Sequence, residues 1–357
     1  MIKNNFEPIL KIENLVKNFP IGKSSLFTKN DSVVHAINDV SFEVFKGETL
    51  GLVGESGCGK TTLGRTIIML YKPTSGNISY KGQNLTKMDN EGLRNIRREL
   101  RMVFQDPYSS LNPRMTVTQL VSEPLRAQGK FNRQKTNEIV EQTLSLVGLG
   151  PQYLNHYPHE FSGGQRQRIG LARALALSPE FIICDEPISA LDVSIQAQVV
   201  NLLQELQRTL GLTYLFIAHD LSMVRHISDR VAVMYLGRIV EIASRDHLFG
   251  NPLHPYTEAL LSSIPIPDPK IEKIRCRKLI QGDVPNPINL PSGCNFHTRC
   301  DYCDPKICIS EVPTLREVRK NHFVACHLAE ELVLCGLPGI SKPNGELSGD
   351  IKKQIIE

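Results

Sequence analysis

The fold of this chain is decided by the stretch Gly54-Glu55-Ser56-Gly57-Cys58-Gly59-Lys60-Thr61, which Thr62 follows. The stretch matches the pattern GxxxxGK(S/T), in which glycines let backbone N–H groups surround phosphate oxygens. Lys60 supplies a cation for the β- and γ-phosphates, and the Thr61 hydroxyl can reach Mg²⁺. The apolar run Thr49–Val53 precedes the loop, and a helical pattern from Lys60 to about Leu70 follows it. This strand–loop–helix order predicts a nucleotide site in an α/β domain.

Two further apolar runs end in polar residues that could act on a nucleotide. Phe181–Cys184 is followed by Asp185 and Glu186, and Tyr214–Ala218 is followed by His219. Short apolar runs separated by helices indicate a parallel sheet buried on both faces, whose carboxyl edge is where such sheets bind ligands. We expect Asp185 to hold Mg²⁺ through water and Glu186 to orient and polarise the attacking water. Taken alone, this pair also fits an acidic turn at the end of a strand.

The composition is typical of a soluble globular protein, with 41% hydrophobic and 22% charged residues among 357. The net charge of +4 is too balanced to indicate nucleic-acid binding by bulk electrostatics. No segment approaches the ~20 consecutive apolar residues of a membrane span, and the charged first residues do not form a signal peptide. We therefore expect a cytoplasmic chain whose membrane role would come through partners.

A third motif lies one helix before the Asp185 strand and reads Phe161-Ser162-Gly163-Gly164-Gln165. A serine and two glycines that open a helix form an anion site. The pentapeptide resembles LSGGQ, the signature of ABC ATPases, and it stands in the family's order between phosphate loop and Asp-Glu strand. The resemblance implies a head-to-tail pair of cassettes, homologous or identical, in which the signature of one caps the γ-phosphate bound by the other.

Other marks of that family occur in sequence. Gln105 resembles the Q-loop glutamine, which contacts Mg²⁺ and senses the membrane partner, and Asp192 ends the D-loop-like Ser189-Ala190-Leu191-Asp192. His219 resembles the switch histidine at the γ-phosphate, so the resemblance implies Glu186 and His219 as the catalytic pair. Phe19 aligns with the aromatic residue that stacks on adenine, although a core phenylalanine is the alternative. The implied Mg²⁺ ligands are Thr61, Gln105 and Asp185.

Four segments narrow the resemblance to the oligopeptide/dipeptide (peptide/nickel) importer family: Phe104–Pro113, Pro252–Leu261, Gly293–Cys300 and Val324–His327. This implies an ATP-hydrolysing subunit on the cytoplasmic face of the inner membrane that powers import of di- or oligopeptides. Its partners would be two permease subunits and, indirectly, an extracytoplasmic solute-binding protein. A nickel or other small-solute importer remains an alternative.

Soluble ABC ATPases are disfavoured. Those of DNA repair need a long coiled coil between phosphate loop and signature, and residues 62–161 contain no heptads. Those of translation carry two cassettes, whereas this chain has one loop and one signature.

The predicted organisation is an α/β P-loop cassette with a C-terminal appendage. We expect the cassette over residues 1–250, with a RecA-like core, an antiparallel β subdomain and a helical subdomain at about 106–170. The proline-rich segment 251–335 would be the oligopeptide/dipeptide-transporter extension, and polar residues 336–357 a disordered tail.

Five of the nine cysteines crowd one stretch of the extension: Cys294, Cys300, Cys303, Cys308 and Cys326. The resemblance implies a possible four-iron, four-sulfur (4Fe–4S) cluster on Cys294, Cys300, Cys308 and Cys326. Cys308 stands one residue farther from Cys300 than the usual third ligand, which makes Cys303 an alternative. Zinc suits four thiolates equally, and reduced structural cysteines are the third interpretation. Because the extension has few apolar periodic segments, a metal would staple a thin core.

Overall fold

The computed structural model describes residues 7–21, 32–106, 110–129, 132–189, 191–265, 278 and 280–338. Three parts of the predictions lie outside these ranges: residues 107–109 of the Q-loop segment, Ala190, and the predicted tail beyond residue 338.

Strands and helices alternate through most of the described chain. The strands are β1 (Pro8–Pro20), β2 (Val33–Phe45), β3 (Thr49–Val53), β4 (Ser75–Tyr80), β5 (Gln83–Asn84), β6 (Leu100–Val103), β7 (Phe181–Asp185), β8 (Thr213–Ile217), β9 (Arg230–Tyr235), β10 (Arg238–Ser244), β11 (Arg316–Arg319) and β12 (His322–Val324). The α-helices are α1 (Lys60–Ile67), α2 (Asn90–Glu99), α3 (Val117–Gln128), α4 (Arg133–Leu146), α5 (Gly163–Leu175), α6 (Val193–Leu210), α7 (Leu221–Ile227), α8 (Arg245–Gly250) and α9 (Pro255–Ser262).

The central sheet has the strand order β11-β12-β10-β9-β3-β8-β7-β6. Its middle is parallel, since β3 pairs in parallel with β8 and β9, and β7 pairs in parallel with β6 and β8. Every residue of β3, β7 and β8 is buried. The predicted parallel sheet with two covered faces is confirmed.

Alternation along the buried strands places their side chains on both faces. Ile182 and Cys184 belong to the apolar cluster that contains residues of α5, α6 and α7. Phe181 and Ile183 belong to the other cluster, with α1 and the four-stranded antiparallel sheet β2-β1-β4-β5. The period of two along an extended strand explains the division. The sheet therefore stands between a helical layer and an antiparallel β layer.

Helices α3, α4 and α5, which follow β6 and precede β7 in the sequence, pack on one another. The turn at Asn112 leads into α3, whose N-terminus carries a capping box between Thr116 and Gln119. A second capping box joins Ser162 and Gln165 at the start of α5. The signature residues thus open a helix, as the sequence predicts.

The last two strands extend the central sheet. β12 pairs antiparallel with β10, and β11 pairs antiparallel with β12. Beside them the Glu241 carboxylate, with no exposed surface, accepts from the backbone N–H groups of Leu253 (2.7 Å) and His254 (3.0 Å) and contacts His322 Nε2 at 2.6 Å. Three contacts satisfy a buried carboxylate that would otherwise be costly. They tie β10 to the start of α9 and to β12.

Among the helices in the described ranges, none combines the length and the apolar character that crossing a bilayer demands.

Candidate functional site

A cavity of about 640 Å³ opens over the phosphate loop, where β3 meets α1. Ten residues that the sequence predicts for the nucleotide site line it: Phe19, Ser56, Gly57, Gly59, Lys60, Thr61, Thr62, Gln105, Glu186 and His219. The remaining lining residues are Val34, Ala36 and Pro287. The sheet brings the polar ones together because β6, β7 and β8 are parallel neighbours. Gln105, Glu186 and His219 each lie one or two residues past the end of one of these strands.

The phosphate loop is held by its own lysine. Lys60 Nζ donates to the carbonyl oxygens of Gly54 (2.7 Å) and Glu55 (2.9 Å), and it lies 3.8 Å from Cys58 Sγ. Burial raises the pKa of the Cys58 thiol, which is therefore neutral beside the ammonium group. Gly54, Glu55 and Cys58 do not line the cavity, and their contacts with Lys60 help to fix the conformation of the loop.

Thr61 lines the cavity, and the buried Asp185 contacts it from outside the cavity lining. Thr61 Oγ1 donates to Asp185 Oδ1 at 2.9 Å. Asp185 Oδ2 is buried and has no hydrogen-bond partner among the described residues, and burial raises the pKa of this carboxyl group. Hard divalent cations such as Mg²⁺ prefer oxygen ligands. A buried carboxylate oxygen that has no partner among the described residues and lies next to a hydroxyl is therefore a suitable ligand for such a cation.

Glu186 stands between two other predicted residues. Its Oε2 accepts from Gln105 Nε2 at 2.8 Å and lies 3.3 Å from His219 Nδ1. Glu186 has φ +45°, a region that side-chain-bearing residues rarely adopt and that is frequent at functional sites. Its carboxylate is positioned to accept a proton from a water in the cavity.

Phe19 lies at the cavity wall and outside the buried core. Its ring packs edge-on to Tyr71 with centroids 5.3 Å apart, and Lys17 Nζ lies 4.7 Å from the ring centroid. The placement is compatible with contact to a base, and that contact stays a prediction.

The signature and D-loop residues do not reach this cavity. Ser162 and Asp192 are exposed at the N-termini of α5 and α6. Helix α5 approaches α6 closely, since a Cβ at Gly164 would lie 2.4 Å from Ile195 Cγ2. Ser162 is exposed, Gly163 and Gln165 are half-buried, and Gly164 is buried against α6, and none of the four lines the cavity of the same chain.

The extension gathers four of its cysteines around one very small cavity of about 10 Å³, namely Cys294, Cys300, Cys308 and Cys326. Cys303 does not line this cavity, and the choice between Cys308 and Cys303 as a metal ligand stays a prediction. Such a volume admits about one water-sized particle. A four-iron cluster would require the sulfurs to move apart. Over the described residues, no three His, Cys, Asp or Glu side chains are arranged to hold a metal ion. The four-thiol donor set suits a soft metal, but its present geometry does not form a site.

Of the four pocket cysteines, Cys308 is buried and Cys294, Cys300 and Cys326 are half-buried. Burial raises the pKa of Cys294, and it raises those of Cys300 and Cys326 to about 12. Metal ligation needs thiolates, so binding would release protons from this pocket.

Sequence reasoning missed the extension residues next to the phosphate loop. Arg299 forms a two-pronged ion pair with the Glu55 carboxylate (2.8 and 3.1 Å), and Pro287 lines the nucleotide cavity. In the sequence, the stretch 293–300 carries a family resemblance and two cysteines, and neither feature indicates a contact with the phosphate loop. A separation of 244 residues left no local pattern that could join Arg299 to Glu55.

Comparisons with known proteins agree with this geometry. The family model described as ABC transporter matches residues 37–189, and the one described as oligopeptide/dipeptide transporter, C-terminal region, matches residues 240–308. The oligopeptide transport ATP-binding protein AppF of Bacillus subtilis (strain 168) is 54% identical over 329 residues, 92% of this chain and 99% of that protein. The oligopeptide transport ATP-binding protein OppF of Escherichia coli (strain K12) is 52% identical over 321 residues, which are 89% of this chain and 95% of that protein.

Solved structures resemble about two thirds of the chain. A dimeric ATP-binding cassette in a post-hydrolysis state, bound to ADP and Pi, has a TM-score of 0.58 and 28% identity. It covers 66% of this chain and 98% of that one. The cbiO1 protein of Clostridium perfringens, part of an ABC transporter complex, has a TM-score of 0.59, 28% identity, and coverage of 68% and 91%. The predicted P-loop cassette fold is confirmed.

Proposed function

Since the chain belongs to the ATP-binding proteins of oligopeptide-type ABC transporters, we propose that it is the ATP-hydrolysing subunit that powers import of di- or oligopeptides. The observation that carries the proposal is the 54% identity that extends over 99% of an oligopeptide transport ATP-binding protein. Import of nickel or another small solute is the second candidate, because nothing in a cassette binds the solute itself.

The site residues divide the reaction among them. Lys60 and the loop N–H groups bind the β- and γ-phosphates. Thr61, Asp185 and Gln105 would hold Mg²⁺, which would supply positive charge next to the phosphate oxygens. Glu186 orients and polarises the attacking water, with His219 beside it at the γ-phosphate. Phe19 stacks on the adenine. The unpaired Asp185 Oδ2 and the contacts of Glu186 support these assignments.

The active unit is a head-to-tail pair of cassettes, with a homologous or identical partner. Ser162, Gly163, Gly164 and Gln165 cap the nucleotide of the partner, and Asp192 lies at the junction. Support comes from the exposure of Ser162 and Asp192 outside the chain's own cavity.

Two permease subunits hold this pair at the cytoplasmic face of the inner membrane, and the solute-binding protein acts through them. A groove of about 410 Å³ between α2, α3 and α5 supports a docking place for a permease segment. Phe104, next to the Q-loop glutamine, lines this groove, as do Arg97, Arg101 and Arg173.

We expect the protein to drive peptide uptake when reconstituted in vesicles with the permease subunits encoded beside it and their solute-binding protein. The measurement is ATP-dependent accumulation of labelled di- and oligopeptides, with Ni²⁺ uptake in parallel. Peptide accumulation supports the proposal. Ni²⁺ uptake without peptide uptake favours the second candidate, and failure to co-purify with any permease contradicts both.

The four pocket cysteines do not form a metal site in the geometry described, and we also expect them to move apart and hold a metal centre, a 4Fe–4S cluster in the first instance. Anaerobically purified protein should contain iron and sulfide and absorb broadly in the visible range. Replacing Cys294 by Ser should remove both and lower the Tm by several degrees, because a staple of a thin core is lost. The phosphate site should still bind ATP.

The matched control is Cys303→Ser, which removes a thiol outside the pocket and should keep the metal. Zinc without iron would contradict the cluster but keep the metal staple. If neither metal is found and Cys294→Ser has an unchanged Tm, the cysteines are structural thiols only.

A further inference from the structure

Glu55 of the phosphate loop is held by residues of the extension. Its backbone N–H donates to Tyr256 Oη at 2.8 Å, and its carboxylate accepts from both terminal nitrogens of Arg299. Its carbonyl oxygen accepts from Lys60 Nζ. One loop residue is therefore fixed at three points, two of which come from residues more than 200 positions away.

Arg299 and Tyr256 are themselves rigidly placed. The Arg299 side chain is only 7% exposed and lies 5.9 Å from the Tyr235 ring centroid, with its Nη1 3.4 Å from Tyr235 Oη. Tyr256 is fully buried, and its ring packs on Tyr235 (4.7 Å between centroids) and Phe296 (5.3 Å). Both side chains are therefore held in place by residues outside the phosphate loop.

We propose that Arg299 and Tyr256 are positioning residues of the ATP site, through which the extension sets the shape of the phosphate loop and hence its affinity for nucleotide. This rests on the proposed ATPase function and assigns the extension a part in it. Neither residue lines the cavity, so both would act through Glu55.

The physical basis is preorganisation. Phosphate binding requires several loop N–H groups to point at one place, and ordering a free loop on binding lowers affinity. A bidentate arginine–carboxylate pair fixes orientation as well as distance. The Arg299–Glu55 ion pair is also close to Lys60, because Lys60 Nζ donates a hydrogen bond to the carbonyl oxygen of the same Glu55.

A second contact of the extension supports this. The backbone N–H of His35, in β2, donates to the Pro287 carbonyl oxygen at 3.0 Å, and Pro287 lines the nucleotide cavity. The extension therefore contacts the phosphate loop at Glu55 and also lines the nucleotide cavity at Pro287. Glu186, which follows the last residue of β7, takes part in neither contact, so the effect should fall on ATP binding and not on the chemical step.

The test is an ATP titration and a steady-state kinetic comparison of full-length variants. For Arg299→Gln we expect the ATP Kd and KM to rise about tenfold, as for loss of a charged pair, while kcat stays within about twofold. Tyr256→Phe loses one hydrogen bond and keeps its ring packing, so about a threefold rise is expected. Arg299→Lys should recover part of the loss, because it retains the charge without the fork.

Coupling through Glu55 is tested by the double variant. Glu55→Gln with Arg299→Gln should bind ATP no more weakly than Arg299→Gln alone, since both changes break one interaction. The control is Arg316→Gln, which breaks an exposed pair with Glu330 in the same extension and should leave Kd and KM unchanged.

A merely structural role would lower the Tm of Arg299→Gln and leave Kd and KM equal to those of Arg316→Gln, and this result would overturn the proposal. Should Arg299→Gln fail to fold, Tyr256→Phe decides, and an unchanged Kd there overturns it as well. A wild-type protein that binds no ATP would instead refute the proposed function, and this inference with it.

Discussion

Replacing Glu186 by Gln is expected to reduce ATP turnover by at least about a hundredfold while the ATP Kd changes less than about threefold. The amide has nearly the shape of the carboxylate and can keep the contacts to Gln105 (2.8 Å) and His219 (3.3 Å). It cannot accept a proton from water, so the chemical step stops while the phosphate loop still binds nucleotide. Because hydrolysis normally releases the closed pair of cassettes, the variant should accumulate as an ATP-bound dimer.

The measurements are the ATPase rate, nucleotide titration, and sedimentation with and without ATP. Glu205→Gln is the control, since this glutamate is exposed on α6, away from the cavity. Turnover of Glu186→Gln equal to that of the control would refute the role given to Glu186.

The second large effect is expected at Gly59, the residue before Lys60. It has φ +108°, and a Cβ there would lie 2.2 Å from the Ala36 carbonyl oxygen. Two backbone segments would have to separate, and Ala36 is itself part of the cavity wall. Gly59→Ala should therefore raise the ATP Kd more than about a hundredfold, as loss of several phosphate contacts would.

Gly82→Ala is the matched control for this substitution. Gly82 also has positive φ (+75°), but nothing lies within 4 Å of the added Cβ. Gly82→Ala should therefore cost only about 1 kcal/mol of stability, for placing a side chain at positive φ, and should bind ATP normally. ATP titration and Tm of both variants are compared, and equal affinities would contradict the steric argument.

The cassette core could be predicted from sequence because its signals are local. The apolar runs of β7 and β8 are each followed by a polar residue that the site uses, Glu186 and His219. Once the runs are assigned to a parallel sheet, the convergence of these residues follows from the common direction of the strands. The phosphate loop is likewise a contiguous pattern whose backbone conformation depends on its glycines.

What could not be predicted depends on contacts between distant segments. β11 and β12 have four and three residues, too few for a periodic pattern, and their pairing with β10 is set by tertiary context. The Arg299–Glu55 pair has no local signal. The spacing of the cysteines also could not show that Cys308, and not Cys303, lines the small cavity of the extension.

The pairing of β12 with β10 has a consequence for how the chain matures on the ribosome. Strand β10 is complete at Ser244, but the strand that covers its free edge ends about 80 residues later, at Val324. At about 5–20 residues per second, roughly 4–16 s of synthesis separate the two. During that interval the nascent cassette has an open sheet edge, and the Glu241 carboxylate lacks its His322 partner. A ribosome that pauses before residue 324 would thus hold a nascent chain exposed to edge-to-edge aggregation, and this is the period in which a chaperone would matter most.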